Sequence, residues 1–263
     1  MSNNHNSLVS IVVPTYNAEQ FIVETIFSVI NQTYVDWEII VVDDCSTDNT
    51  KKLVKELINQ DSRICLIELD KNFGGPAGPR NHGVKKSRGE YIAFLDSDDI
   101  WHPQKLEIQM SIICNDAINF VCSQMQDFKA FGELKFNEYC KGTNYTMITS
   151  FKLQMRDLIP TSSVLIKKSL LLKEPFEQNI EYKAVEDYHC WMRVINHTKF
   201  CAKVDNKLLF YRRSDGQISS SKLYMTRKVY MIHRKLGRSK LISFLFTSTH
   251  VLGGIMRYIK KEM

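Results

Sequence analysis

Three aspartates fall within four positions at the end of YIAFLDSDDIW, residues 91–101. Carboxylates this close repel one another and resist leaving water unless solvent screens them or a cation sits among them. Asp96 and Asp98 make an Asp-x-Asp pair that offers only oxygen ligands, which suits Mg2+ or Mn2+. A bland alternative is a solvated loop of acids. An EF-hand is excluded because its glycine and twelfth-position glutamate are missing. A haloacid-dehalogenase-type phosphatase is disfavoured by Asp99, which stands where a Thr or Val would follow the second Asp.

The elements needed to position these acids can be read from periodicity. Tyr91 to Leu95 is a continuous apolar run, the pattern of a short strand covered on both faces. Leu8–Val13, Trp37–Val42 and Arg63–Leu69 are further strands, and AEQFIVETIFSVINQ is an amphipathic helix. Ser46 or Thr47 can cap the next helix, with Asp48 in its first turn and Leu53, Val54, Leu57 and Ile58 facing inward. Pro79–Ser87 is a short helix. The alternation predicts a doubly wound, mostly parallel α/β sheet whose ligands bind at the carboxyl ends of its strands. PTYN, DDCS, NFGGPAGPRN and DSDD follow the four strands in turn, so four polar motifs converge on one site. Later strands are expected at 119–127, 162–166 and 208–211, with VEDYHCWMRVINH a helix.

At 263 residues, 44% hydrophobic and 24% charged, the chain can bury a full core. Its seven cysteines are an odd set with no C-x-x-C pair, which argues against a disulfide framework or a zinc ribbon. The N-terminus lacks a basic leader and an apolar segment of signal length, so a cytoplasmic protein is expected. No nucleic-acid partner is expected. From Lys222 onward ten Lys or Arg face the single acid Glu262, leaving a basic tail on a slightly acidic body.

The ordered set SIVVPTYNAEQFIVETIFSVINQTY, EIIVVDDCSTDNT, RNHGVKKSRGEYIAFLDSDD and a later Glu-Asp before a Trp resembles the family 2 glycosyltransferases, in particular bacterial O-antigen and capsule enzymes, over roughly residues 8–215. That resemblance implies an A-type glycosyltransferase fold, a nucleotide-sugar donor with UDP favoured, Mn2+ or Mg2+, and inversion at the anomeric carbon. It implies that Pro14, Thr15 and Tyr16 border the nucleotide, where stacking of Tyr16 on a base is worth about 1–3 kcal/mol. Asp43 and Asp44 would accept hydrogen bonds from a uracil ring nitrogen and a ribose hydroxyl. Helix capping is the alternative for that pair, and it accounts for one aspartate more easily than for two.

By the same resemblance, Arg80 offers a fork of donors to the diphosphate, although Pro79 stands where the family has a small residue. Asp96, Ser97 and Asp98 match the family's metal signature, with Asp98 on the metal and Asp96 nearer the ribose or a metal-bound water. Asp187 matches the family's general base, with Glu186 beside it, and a helix N-terminal acid pair is the alternative. FYRRSDGQISSSK resembles the segment that closes over the diphosphate, but Ser214 replaces a His there, so Arg212 or Arg213 would supply the charge.

Two other functions compete: a sugar-nucleotide pyrophosphorylase, whose Gly-rich N-terminal loop is missing, and a non-catalytic nucleotide or glycan-binding module. The chain divides into a catalytic region, 1–215, and a basic amphipathic helical tail, 216–263. The apolar run Leu241–Met256 falls short of the roughly 20 residues that span a bilayer. The tail is expected either to lie on an anionic membrane surface, bringing the enzyme to a polyprenyl-diphosphate-linked glycan acceptor at the inner face of the membrane, or to pack on the body.

Overall fold

A computed structural model describes residues 7–139, 144–213 and 222–262. Strands β1 (Val9–Thr15) and β2 (Trp37–Asp43) are buried at every residue, as parallel strands covered on both faces must be. They are joined by helix α1 (Ile22–Ile30), and α2 (Thr50–Ile58), β3 (Ile64–Glu68), α3 (Ala77–Lys86) and β4 (Tyr91–Phe94) follow. The order β3-β2-β1-β4 is parallel throughout, with Thr15 opposite Asp43 and Val12 opposite Phe94. This register brings the polar strand ends to one edge.

Beyond β4 the sheet continues with mixed pairing. Strand β8 (Leu165–Lys167) runs antiparallel to both β4 and β6 (Phe120–Phe128), and β9 (Phe200–Arg212) runs parallel to β6. Two short strands, β5 (Ile100–Trp101) and β7 (Tyr145–Thr149), pair antiparallel with β9. Helices α4 (Lys105–Asp116), α5 (Ser150–Met155), α6 (Lys168–Lys173) and α7 (Glu186–Thr198) complete the body. Alternate residues of β1 feed two cores: Ile11 and Val13 pack with Ile22, Ile26 and Trp101, whereas Val12 packs with Phe94, Trp191 and Val194.

Several local expectations are corrected. Helix α2 begins at Thr50 and is not capped by Ser46 or Thr47. The Ser46 hydroxyl instead accepts the Asn17 backbone N–H at 2.9 Å, tying the loop after β2 to the loop after β1. Helix α3 starts at Ala77, and Pro79 sits in its first turn, where the missing N–H would have had no helical partner. Residues Thr161–Ser163 form a 3-10 turn, so the strand expected at 162–166 begins only at Leu165. There Ser163 donates through its hydroxyl and its N–H to the Pro160 carbonyl, so local bonds replace a ladder. Strand β9 is far longer than 208–211, because polar Asp205 to Lys207 hide the strand period at a register shift against β6. Gly83 is required for the depth of α3: a Cβ there would lie 2.4 Å from a Val12 methyl.

Helices α8 (Lys222–Lys235) and α9 (Lys240–Glu262) lie on the body. Val229 and Ile232 enter the core that holds Trp191, Arg238 Nε donates to Gln154 Oε1 at 2.9 Å, and the Thr249 hydroxyl donates to the Met155 carbonyl at 2.8 Å. The Tyr188 hydroxyl lies 3.4 Å from His233 Nε2 and 3.1 Å from His250 Nε2. The outer face carries exposed Leu223, Leu241, Phe244, Leu245 and Leu252. Among the described residues no helix is long and apolar enough to cross a membrane. The expected boundary between 215 and 216 lies outside the described residues.

Burial pushes His233 and His250 each down to about 4 from the ordinary histidine range, aided by Arg238 for His233 and opposed at His250 by its bond to the Gln154 carbonyl. A depressed folded value means that the unfolded chain binds the extra proton below about pH 6.5, so stability falls as pH drops toward 4. Denaturant unfolding at pH 7 and 5.5 should show a loss of roughly 1 kcal/mol for each histidine. His233→Phe should flatten that slope.

Candidate functional site

The carboxyl ends of β1, β2 and β4 meet the N-terminus of α7 around a cleft of about 670 Å3. Three hydrogen bonds lock its nucleotide-side loops together: Asp44 N–H to the Thr15 carbonyl at 2.8 Å, Phe73 N–H to Asp44 Oδ1 at 2.8 Å, and the Asn72 amide to the Asp44 carbonyl at 2.7 Å. Pro14, Thr15, Tyr16 and Asp44 all line the cleft, and Tyr16 is 53% exposed. Asp43 lies behind that surface. Its Oδ2 accepts the Ser46 N–H at 2.9 Å, while Oδ1 is buried without a partner among the described residues. Asn17, Cys45 and Ala184, on the loops around the cleft, hold φ of 48°, 66° and 72°, a left-handed backbone that non-glycine residues adopt at a cost.

Asp96, Ser97 and Asp98 line the same cleft at the end of β4. Asp98 is pushed up to about 6, first by burial and then by Asp96. Asp99 turns inward, wholly buried; burial and its two neighbours hold it well above the usual carboxylate range. It accepts the Arg212 N–H at 3.0 Å. Arg212 donates from Nε to the Asp98 carbonyl at 2.7 Å and from Nη2 to Glu24 at 2.6 Å, with its guanidinium between Phe21 and Phe128. The expected diphosphate contact from Arg212 is therefore corrected: this arginine braces the acidic loop from beneath. Arg213 pairs with Asp127 at 3.2 Å, and Ser214 lies outside the described residues.

Arg80 is also buried, 3% exposed, and its fork is taken by Asp96 at 2.7 Å and Glu186 at 3.3 Å. It thus joins the acidic ends of β4 and α7. Glu186 is pushed up to about 7 by burial first and Asp187 next, against the pull of Arg80. Asp187 lines the cleft, accepting the Thr161 hydroxyl at 2.9 Å and the Tyr188 N–H at 2.7 Å. Lys183 and Tyr211 also line it. Sequence reading had not singled out Thr161, Lys183 or Tyr211. Tyr211 was accessible through strand alternation, whereas Thr161 and Lys183 sit in short irregular segments without a periodic signal.

Residues 10–172 match the family described as glycosyl transferase family 2. The chain is 31% identical to the Escherichia coli UDP-Glc:alpha-D-GlcNAc-diphosphoundecaprenol beta-1,3-glucosyltransferase WfgD, over 95% of each chain. Its fold is similar to that of Staphylococcus aureus TarS 1–349 in complex with UDP-GlcNAc, with a TM-score of 0.71 at 22% identity, covering 92% of this chain and 70% of that one. It is also similar to the Pyrobaculum calidifontis mannosyltransferase PcManGT in complex with GDP-Man and Mn2+, with a TM-score of 0.69 at 16% identity, covering 93% and 70%. These likenesses bear out the A-type sheet architecture with its helical C-terminal region.

Removing Arg80 would strand two acids. Arg80→Met should cost about 3–5 kcal/mol of stability, the usual effect of breaking a buried ion pair, and Arg80→Met/Glu186→Gln should recover part of it in denaturant unfolding. A stable Arg80→Met that fails only in nucleotide binding would show instead that the fork serves the ligand.

Proposed function

The chain belongs to glycosyl transferase family 2, and from that premise we propose that its cleft takes a UDP-sugar and transfers the sugar, with inversion, to a hydroxyl of a lipid-linked glycan acceptor in bacterial surface polysaccharide synthesis. What carries this reading is the lining of a single cleft by Pro14, Thr15, Tyr16, Asp44, Asp96, Ser97, Asp98 and Asp187. Tyr16 stacks on the base, and Asp44 takes a ribose hydroxyl. Asp43, behind the cleft surface, serves from beneath by holding the loop after β2 through the Ser46 N–H. Arg80 holds Asp96 in place. Family membership displaces the pyrophosphorylase alternative, and turnover separates an enzyme from a binding module.

A divalent metal fits the residues present. Asp98 sits where burial and Asp96 leave negative charge under-compensated, and the ligand set is oxygen alone. Among the described residues no group of three or more His, Cys, Asp or Glu could hold a metal by itself, so Asp98 and Asp96 would share Mn2+ or Mg2+ with the donor's phosphates. When bound, the ion supplies Lewis-acid compensation of the charge that grows on the departing diphosphate. Asp187 takes the proton of the attacking acceptor hydroxyl, a task for a carboxylate within hydrogen-bond reach.

The acceptor chemistry is supported by the likeness to WfgD, whose name gives alpha-D-GlcNAc-diphosphoundecaprenol as its acceptor. A membrane surface as partner is supported by the exposed apolar side chains of α8 and α9 among their basic residues. This reading makes the enzyme peripheral at the inner face of the membrane.

The test is release of UDP from a panel of UDP-, GDP- and dTDP-sugars, with Mn2+ and a polyprenyl-diphosphate-linked N-acetylglucosamine acceptor. UDP-sugars should turn over, Asp98→Ala should nearly abolish turnover, and full activity in excess chelator would refute the metal. Asp187→Asn should lower kcat by about 10²–10⁴ while UDP binding by calorimetry is kept. Phe244→Ser/Leu252→Ser should reduce sedimentation with anionic liposomes at low salt without changing UDP affinity. Absence of sedimentation by the unsubstituted protein would refute the membrane contact.

A further inference from the structure

The turn Pro160–Ser163 runs between the two acidic ends of the cleft, and most of its polar groups are tied down. On the β4 side the Ser162 hydroxyl accepts the Asp96 N–H at 3.0 Å, and the Ser162 carbonyl accepts Trp101 Nε1–H at 2.7 Å. The Ser163 carbonyl accepts the Gln109 amide at 2.8 Å, and Gln109 in turn accepts Lys105 Nζ at 2.7 Å. Lys105 is fully buried, with its ammonium group 3.8 Å from the centre of the Trp101 ring. The turn is therefore anchored from below by three buried side chains, and Thr161 has little freedom of position.

Thr161 itself faces α7. Its Oγ1 lies 2.9 Å from Asp187 Oδ2 and 3.3 Å from Trp191 Nε1. An indole nitrogen can only donate, so Trp191 occupies a lone pair of the hydroxyl and the single Thr161 proton is left for Asp187. The direction of the chain Trp191 to Thr161 to Asp187 is fixed by chemistry. Its end point is an accepting carboxylate oxygen, the form a general base needs before it takes a proton.

We propose that Thr161 is a positioning residue for Asp187, holding the carboxylate as an oriented acceptor at a fixed place relative to Asp96. This rests on the reading of Asp187 as the base. Because Ser162 bonds the Asp96 backbone, one turn sets both the donor-side acids and the base, so their spacing depends on the turn and not on two independent loops. A purely structural Thr161 would serve only to satisfy Trp191.

The experiment compares Thr161→Val, Thr161→Ser, Asp187→Asn and Thr161→Val/Asp187→Asn in UDP release from UDP-glucose and UDP-N-acetylglucosamine with Mn2+ and a polyprenyl-diphosphate-linked N-acetylglucosamine acceptor, alongside calorimetric binding of UDP with Mn2+. Thr161→Val should lower kcat about 10- to 100-fold, as loss of a hydrogen bond to a charged group implies, with donor KM and UDP affinity unchanged. Thr161→Ser, which keeps the hydroxyl, should recover to within about threefold of the unsubstituted enzyme. On the Asp187→Asn background Thr161→Val should add less than about twofold, because the two residues act as one unit. The proposal is overturned if Thr161→Val loses UDP affinity in step with kcat, if Thr161→Ser is as poor as Thr161→Val, or if the two losses multiply. If the unsubstituted protein binds UDP yet releases none from either donor, transfer from these two donors fails first and takes the role of Thr161 with it. A fully active Asp187→Asn would refute the base itself.

Discussion

Five carboxylates, those of Asp96, Asp98, Asp99, Glu186 and Asp187, crowd one end of the sheet, and their mutual repulsion is the constraint around which the rest is arranged. Two buried arginines answer it. Arg80 bridges Asp96 and Glu186, the latter 106 residues away from it in sequence, and Arg212 reaches from the last strand to bond Asp99 and the Asp98 carbonyl. The parallel half of the sheet and the helix that carries Asp187 are thereby joined through charge as well as through the apolar contacts of Trp191 and Phe94. Asp98, Asp99 and Glu186 nevertheless stay raised, first by burial and then by their acidic neighbours.

Much of this was legible in the sequence because it rests on local pattern. The apolar runs of β1, β2 and β4 have no polar interruption, and the motif after each strand announces its end. The convergence of Asp44, Asp96 and Asp98 follows from parallel pairing alone, since strand ends at one edge must meet. Asp187 was found through its motif, not through periodicity.

What escaped was non-local. That Arg80 would spend its donors on protein carboxylates could not be read from NFGGPAGPRN, because one partner lies in a helix more than a hundred residues away. Asp43 and Asp44 are adjacent in sequence, yet only Asp44 lines the cleft, since successive residues at a strand end point to opposite sides. Ser162 and Ser163 were read as the start of the 162–166 strand because they run into Val164, Leu165 and Ile166, which fit a strand composition. The hydroxyl bonds that turn it aside are visible only with partners in place. The tail divides its loyalties by face: Ile232 and His233 are fully buried on the body, while Leu241 and Phe244 remain exposed.

The close seating of α3 on β1 has a consequence for the tolerance of the site to change. Gly83 and Arg80 are one turn apart on the same side of the helix, and the absent Cβ of Gly83 is what lets that side lie against Val12. Any larger residue there would act as a shim under the helix, lifting it off the sheet and drawing the guanidinium away from Asp96. A bare increase in volume, carrying no charge of its own, would then be read out by the molecule as an electrostatic lesion.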